Sequence, residues 1–199
     1  MTRAVEFYFD VGSPAAYLAW TQLPQLAAAA GAHIDYKPFL LGGVFQATGN
    51  RSPMEVPAKG RYMQDDLARY AVRYGVPFAH NPHFPINTLT LMRGALGLQM
   101  REPDRLVPYG DAIYRAIWVD GCDMNDPASV GAVLQAAGFE AQALLALTAH
   151  TEVKDRLKAV TQDAVARGVF GAPTFFVGDR MFWGQDRLDF VQQALKEEP

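Results

Sequence analysis

The stretch that decides the fold is Glu6-Phe7-Tyr8-Phe9-Asp10-Val11-Gly12-Ser13-Pro14-Ala15-Ala16-Tyr17-Leu18. Val5, Phe7 and Phe9 alternate with more polar residues, which is the period of two that a strand shows. Gly12 ends this run, and Ser13-Pro14 then opens a helix. A serine oxygen at the N-cap accepts from free backbone amides, and the fixed φ of proline suits the first helical position. The stretch therefore predicts a strand, a tight turn and a helix with a hydroxyl at its N-terminus.

The composition favours a folded protein that does not bind nucleic acid. The 199 residues carry 18 basic and 21 acidic side chains, for a formal net charge of −3, and 50% of them are hydrophobic. A sizeable core is expected, and no surplus of positive charge is available to neutralise phosphates. The start of the chain does not resemble a signal peptide, and no apolar run approaches the roughly 20 residues that span a bilayer. We therefore expect a soluble, cytoplasmic protein with no membrane partner.

The cysteine and histidine content limits redox and metal chemistry. The single cysteine, Cys122, cannot form an internal disulfide, and a dithiol motif or a cysteine-ligated zinc site needs more than one. The histidines show no metal-ligand spacing on a helix, and His80 and His83 flank Asn81-Pro82 in a predicted loop without further ligands. We therefore expect no metal site.

The first forty residues predict one βαβ unit. Residues 14–30 form a helix with a broad apolar face, which Gly31 ends, and residues 33–39 alternate as a second strand. A strand that follows a strand and a helix is most simply parallel to the first. Residues 46–53 then read as a polar loop with nothing to form a core, which makes this region the expected domain boundary.

Beyond this boundary the sequence predicts helices until near its end. The expected helices cover residues 58–74, 87–100, 106–119, 126–137, 140–148 and 152–167, with a proline-fixed loop at 80–85. Strand patterns return at 174–177 and 180–183, and Gly178-Asp179 between them is typical of a hairpin. A helix over 187–196, with Asp186 as its N-cap, closes the chain.

The resulting order is β-α-β, a helical block and then β-β-α. If both ends share one sheet, the block is an insertion in a small α/β domain. This is the order of a thioredoxin-like fold with a large all-helical insertion domain. Residues 1–42 and 166–199 would form the discontinuous thioredoxin-like domain, and residues 43–165 would form the insertion. Ser13 and Ala16 then stand at the two cysteine positions of the dithiol motif of this fold, and the four-residue motif Ser13-Pro14-Ala15-Ala16 contains no cysteine, which argues against a dithiol oxidoreductase.

Several blocks of the sequence resemble the kappa-class glutathione transferases and, more closely, the 2-hydroxychromene-2-carboxylate isomerases of bacterial aromatic catabolism. The blocks are Phe7 to Leu18, Lys59-Gly-Arg-Tyr-Met63, Phe84-Pro-Ile-Asn-Thr88, Gly168-Val-Phe-Gly-Ala-Pro173 and Phe182-Trp-Gly-Gln-Asp-Arg-Leu188. They keep the order of that family and span nearly the whole chain.

The resemblance implies that glutathione is the cofactor and that Ser13 holds its sulfur. A serine hydroxyl, free backbone amides and a helix dipole together favour the thiolate form of a bound thiol. The alternative is that Ser13 only caps the helix. The resemblance also implies that Pro173 is a cis-proline whose neighbour, Ala172, pairs its main chain with glutathione. The alternative for Pro173 is the start of an edge strand.

Other residues of the site follow from the same resemblance. The last helix would open with free amides suited to the γ-glutamyl carboxylate, and Asp186 could meet the glutathione ammonium, cap the helix, or do both. This part of the glutathione site comprises Trp183, Gly184, Gln185 and Asp186. The implied substrate-binding residues are Asn50, Lys59 and Asn87, with Arg51 and Arg61 as secondary candidates, although each is otherwise an ordinary surface or cap residue.

The activity implied by the resemblance is the interconversion of 2-hydroxychromene-2-carboxylate, a small aromatic carboxylate, and trans-o-hydroxybenzylidenepyruvate. The glutathione thiolate would add to the conjugated carbon, the former double bond would rotate, and elimination would restore the alkene. The resemblance also suggests a homodimer. Two alternatives remain open: a kappa-like glutathione transferase or peroxidase that acts on other electrophiles through Ser13, and a non-catalytic protein that binds glutathione or a peptide.

Overall fold

The computed structural model describes residues 3–197 of the chain. In chain order the elements are β1 (Ala4–Phe9), α1 (Pro14–Ala29), β2 (His33–Pro38), α2 (Leu41–Thr48), α3 (Pro57–Tyr74), α4 (Leu89–Arg101), α5 (Leu106–Trp118), α6 (Pro127–Ala136), α7 (Ala141–Thr148), α8 (Thr151–Ala166), β3 (Thr174–Val177), β4 (Arg180–Trp183) and α9 (Leu188–Glu197). Short 3-10 helices occupy Pro53–Glu55, Pro103–Arg105 and Gln185–Arg187.

The two ends of the chain share one four-stranded sheet in the order β2-β1-β3-β4. β1 pairs in parallel with β2, with Phe7 opposite Tyr36, and antiparallel with β3, with Phe7 opposite Phe175. β3 and β4 form an antiparallel hairpin. The βαβ unit, the hairpin and the thioredoxin-like fold predicted from the sequence are thus confirmed.

The central strand β1 is buried on both faces. Phe7 and Phe9 are fully buried on one face, and Tyr8 is only 1% exposed on the other. The Arg167 guanidinium covers Tyr8 by donating to its hydroxyl at 2.8 Å and to the Glu6 carboxylate at 2.7 Å. Burial raises the pKa of Tyr8 to about 12. A strand enclosed in this way gives the loop that follows it a rigid base.

The six helices predicted between residues 58 and 167 are present as α3 to α8, with ends that differ by one or two residues. Asp126 caps α6 by accepting from Ala128 and Ser129, as a helix opening at this residue requires. No helix within residues 3–197 is long and apolar enough to cross a membrane. The division of the chain into two domains stays a prediction.

The polar loop expected at residues 46–53 is partly wrong, because α2 occupies residues 41–48. Gly42 and Gly43 disfavour a helix in this segment, but tertiary contacts stabilise one. The Leu41 N–H donates to Asp10 at 2.8 Å, the Leu40 N–H donates to Thr161 at 3.0 Å, and Val44 is fully buried. The helix ends at Gly49, which has a φ of +71°.

The start of the last helix also differs from the prediction. Asp186 is not its N-cap, because residues 185–187 form a 3-10 turn and α9 begins only at Leu188. The Asp186 carboxylate lies 2.5 Å from the Arg187 guanidinium instead. Gly184 precedes the turn with a φ of +105°, a conformation that favours glycine.

Candidate active site

Ser13 is the N-cap of α1 and also contacts the far end of the chain. Its hydroxyl accepts from the Ala16 N–H at 3.1 Å and donates to the Ala172 carbonyl at 3.0 Å. The side chain is buried, with 6% of its surface exposed. This geometry is compatible with both roles predicted for Ser13, the helix N-cap and the residue that holds a ligand.

The segment opposite Ser13 contains a cis peptide bond between Ala172 and Pro173. Two hydrogen bonds hold this segment in place: the Thr174 hydroxyl donates to the Gly171 carbonyl at 2.8 Å, and the Gly184 N–H donates to the Pro173 carbonyl at 3.0 Å. The backbone next to Ser13 is therefore fixed by the hairpin that follows it.

The turn after β4 lies against the same segment. The Trp183 ring is 5.0 Å from the Phe170 ring, and a Cβ at Gly171 would lie 2.5 Å from Trp183 Nε1, so a larger residue there would require the Trp183 ring to shift. Gln185 is buried, and its carbonyl accepts from the Tyr74 hydroxyl at 2.9 Å. This last contact ties the end of α3 to the turn.

Asp10 is a part of the site that the sequence reasoning missed. Its carboxylate is fully buried and accepts from the Gly12 N–H at 2.9 Å, the Leu41 N–H at 2.8 Å and the Thr88 hydroxyl at 3.0 Å. Burial raises the pKa of this carboxyl above its usual value, while these hydrogen bonds lower it in part. The sequence feature that could have identified Asp10 is its position, directly after a buried strand and three residues before Ser13.

A cavity of about 720 Å³ brings most of the predicted site residues together. Its wall includes Ser13, Asn50, Asn87, Ala172, Trp183, Gly184, Gln185 and Asp186. Lys59 and Pro173 are not among the described residues that form this wall. Lys59 is exposed in the first turn of α3, and Pro173 is buried behind Ala172.

The two asparagines of the wall have roles within the protein. The Asn50 amide donates to the Phe170 carbonyl at 2.8 Å and so joins the loop after α2 to the segment before Ala172. The Asn87 side chain accepts from the Leu89 N–H at 3.2 Å, at the start of α4. Asn50 and Asn87 thus shape the wall as well as line it.

One side of the cavity is aromatic. Trp118 is fixed by its N–H, which donates to the Val11 carbonyl at 2.9 Å. The ring centroids of Phe78 and Phe84 lie 6.2 Å and 6.0 Å from that of Trp118, and His80 lies 6.1 Å from Phe84. We call Phe78, Trp118 and Phe84 the aromatic wall. A flat aryl group suits such a surface.

The charges on the cavity wall are few and mixed. Three carboxylates, Asp10, Asp66 and Asp186, face two basic side chains, Arg51 and His80. Arg51 is 82% exposed and lies 4.0 Å from Glu55. No group of three or more His, Cys, Asp or Glu side chains within residues 3–197 is arranged to hold a metal ion.

Comparison with known proteins places this site in a family context. The chain matches the family model of the DSBA-like thioredoxin domain over residues 4–196. A 2-hydroxychromene-2-carboxylate isomerase from Sphingobium xenophagum is 36% identical over 197 residues, or 98% of this chain and 99% of that protein. Glutathione S-transferase kappa 1 from Homo sapiens is 28% identical over 213 residues, or 99% of this chain and 92% of that protein. A solved structure of a 2-hydroxychromene-2-carboxylate isomerase has a TM-score of 0.85 and 30% identity, and the match covers 96% of this chain and 94% of that one.

Proposed function

Because this chain belongs to the DSBA-like thioredoxin-domain family and, within it, to the 2-hydroxychromene-2-carboxylate isomerases, we propose that it is a glutathione-dependent isomerase. Its reaction would interconvert 2-hydroxychromene-2-carboxylate and trans-o-hydroxybenzylidenepyruvate. The observation that carries this proposal is the Ser13 hydroxyl, which lies on the cavity wall at the N-terminus of α1 and 3.0 Å from the Ala172 carbonyl.

The residues of the cavity fit a thiol-bearing tripeptide. Ser13 offers a hydroxyl that can turn from the Ala172 carbonyl and donate to sulfur, and the first turn of α1 adds the Ala15 N–H and the positive end of the helix dipole. A thiolate is stabilised by each of these features, so Ser13 would lower the pKa of a bound thiol from its ordinary value of about 8.5.

Two backbone segments would hold the peptide part of glutathione. Ala172 offers its main chain at the cis peptide bond, and its carbonyl is free to accept from glutathione once the Ser13 hydroxyl has turned to the sulfur. The 3-10 turn at 185–187 would receive the γ-glutamyl group, with Asp186 near the ammonium. Since Asp186 already pairs with Arg187, it would have to be shared between the two cations.

The aromatic wall would receive the aryl ring of the substrate, next to the thiol. When bound, glutathione supplies a nucleophilic sulfur that adds to the conjugated carbon and leaves again after the bond has rotated. The residues of the chain position this sulfur, exclude water and orient the ring. Asn50 and Asn87 remain proposed ligands of the substrate carboxylate, whereas Lys59 is left out because it does not lie on the described wall.

The first test measures thiolate formation. Ultraviolet difference absorbance of bound glutathione should show a thiolate at neutral pH in the wild type, and Ser13→Ala should weaken that signal. Loss of a hydrogen bond to a charged group is worth about 1.5–3 kcal/mol, which would raise the thiol pKa by about 1 to 2. Titration of the thiolate absorbance with pH gives this value directly.

Ser52→Ala is the matched control for Ser13→Ala. Ser52 also lies on the cavity wall, but its hydroxyl accepts from Met54 at the short 3-10 helix Pro53–Glu55, so its loss should leave the thiol pKa unchanged. The proposal fails if wild-type protein with saturating glutathione shows no thiolate at neutral pH.

Two alternatives use the same cavity and differ in the fate of the thiol. A kappa-like glutathione transferase or peroxidase would consume glutathione, whereas an isomerase returns it unchanged. A non-catalytic binding protein would bind glutathione without turnover. Incubation with 2-hydroxychromene-2-carboxylate and, separately, with an aryl halide or a hydroperoxide, each with a count of free thiol before and after, separates the three. We also propose a cytoplasmic homodimer that acts in aromatic catabolism, by analogy with the family.

A further inference from the structure

Most polar side chains of the cavity wall are already engaged inside the protein. Hydrogen bonds within the chain hold Asp10, Ser13, Asn50, Ser52 and Thr88. Asn50 and Asn87 are proposed above for the substrate carboxylate, so an oxygen on the aryl ring needs a different donor. The two basic side chains of the wall, Arg51 and His80, are the candidates; both are exposed, and Arg51 lies 4.0 Å from Glu55.

His80 is the basic side chain that lies beside the aromatic wall. It belongs to the loop between α3 and α4, and its ring is 6.1 Å from Phe84, which in turn packs against Trp118. An aryl ring placed on this wall would bring its own substituents close to His80. The reacting alkene would then lie toward Ser13, and the carboxylate arm beyond it.

Gln64 fixes the histidine ring. Gln64 belongs to α3, and its Nε2 lies 3.2 Å from His80 Nε2. With the Gln64 amide in this orientation, its nitrogen faces His80 and can only donate. Nε2 of a neutral His80 is then the acceptor, and Nδ1 carries the proton. Among the residues that the structure describes, Nδ1 has no hydrogen-bond partner. One donor thus remains for a ligand.

We propose that His80, oriented by Gln64, is a specificity-determining residue that binds the oxygen on the aryl ring of the substrate. This inference rests on the proposed function, because it assumes that an aryl group occupies the aromatic wall. The Nδ1–H of a neutral His80 would donate to the phenol oxygen, and this added hydrogen bond favours rings that carry an oxygen next to the side arm.

The test compares the binding of two compounds that differ by that oxygen. Dissociation constants of trans-o-hydroxybenzylidenepyruvate and trans-benzylidenepyruvate are measured by tryptophan fluorescence without glutathione, so that neither compound is converted. We expect the wild type to bind the hydroxylated compound about tenfold more tightly, as one hydrogen bond is worth roughly 1.4 kcal/mol here. His80→Phe keeps an aromatic ring without the donor and should abolish this preference, and Gln64→Leu should reduce it.

His83→Phe is the control from the same loop. His83 pairs with Asp123 at 3.5 Å and is not among the described residues of the cavity wall, so its replacement should leave the tenfold preference intact. A preference that survives His80→Phe overturns the proposal, and so does an equal loss of affinity for both compounds. Because no turnover is needed, a protein that binds both compounds but lacks isomerase activity would refute the proposed function and leave this inference standing.

Discussion

Asp10 and Ser13 lie three positions apart in the loop after β1, and each ties a different part of the molecule to that loop. The Ser13 hydroxyl reaches Ala172, which is 159 positions later, while the Asp10 carboxylate reaches Leu41 and Thr88. Buried polar groups cost free energy unless they are hydrogen-bonded. The loop that presents Ser13 is therefore held in one conformation by partners from three other segments.

The first prediction concerns the charge of Asp10. In Asp10→Asn, the side-chain NH2 group would face one of the N–H or O–H groups that now donate to the carboxylate. Two donors cannot pair, so the substitution should destabilise the fold by about 1–3 kcal/mol. The size of this loss should depend on pH. Since the folded-state pKa of Asp10 is raised above 3.8, its contribution to stability is full below that pH and is lost as pH rises through the raised value.

The measurement is urea denaturation of wild type and Asp10→Asn at several pH values. The gap between their free energies of unfolding should be largest below pH 3.8 and should narrow as pH rises through the raised pKa of Asp10. Asparagine does not titrate, so the change in the gap reports on Asp10 alone. A gap that widens toward neutral pH would contradict the assignment.

At the scale of the elements, close contacts between helices decide where side chains fit. α5 passes α1 at Gly110, where an added Cβ would overlap the ring of Trp20. Trp20 cannot easily move, because its ring N–H donates to Asp111 at 2.7 Å and its ring packs 5.1 Å from Phe9. α1, which carries Ser13 at its start, is thus seated against α5 through this contact.

The second prediction compares two helical glycines. Gly110→Ala should destabilise the protein by about 1–3 kcal/mol, because the methyl group overpacks the contact with Trp20. Gly131→Ala in α6 has no atom within 4 Å of the new Cβ and should instead stabilise by about 0.5–1 kcal/mol through helix propensity. Denaturation midpoints of both variants test this. Equal effects at both positions would show that packing at Gly110 is not the cause.

At the scale of the whole molecule, the cavity is bounded by segments that are distant in sequence. The loop after β1, the turn after β4, α2, α3 and the loop before α4 all contribute to its wall. Asn50 closes one side of it by donating to the Phe170 carbonyl, 120 positions away. Asn50 therefore joins the segment at residues 41–56 to the segment before Ala172.

The third prediction follows from this contact. Asn50→Ala should increase amide hydrogen exchange across residues 41–56 and weaken substrate binding, while the free energy of unfolding changes by about 1 kcal/mol or less, because the lost bond is exposed. Hydrogen exchange with mass spectrometry localises the effect. Arg51→Ala is the neighbouring control, since Arg51 is exposed and its ion pair with Glu55 spans 4.0 Å at the surface. Exchange that rises equally in both variants would exclude a specific role for Asn50.

The predictable parts of this protein are those that depend on neighbours in the chain. The alternation of β1, the Ser13-Pro14 opening of α1, the helices between residues 57 and 166 and the hairpin all rest on local periodicity and capping. α2 was not predicted, because Gly42 and Gly43 favour a loop locally. The helix is stabilised by tertiary contacts, in which Leu40 donates to Thr161 and Leu41 donates to Asp10.

The order of the elements and the hydroxyl at the start of α1 could be predicted from the sequence, because these features follow from short-range backbone preferences. The contact of Ser13 with Ala172, the donors that Leu41 and Thr88 supply to the buried Asp10, and the contact of His80 with Gln64 depend on the tertiary structure. These pairings join residues from separate elements, so no local pattern encodes them. Their geometry arises when burial of the sheet and helices brings the two ends of the chain together.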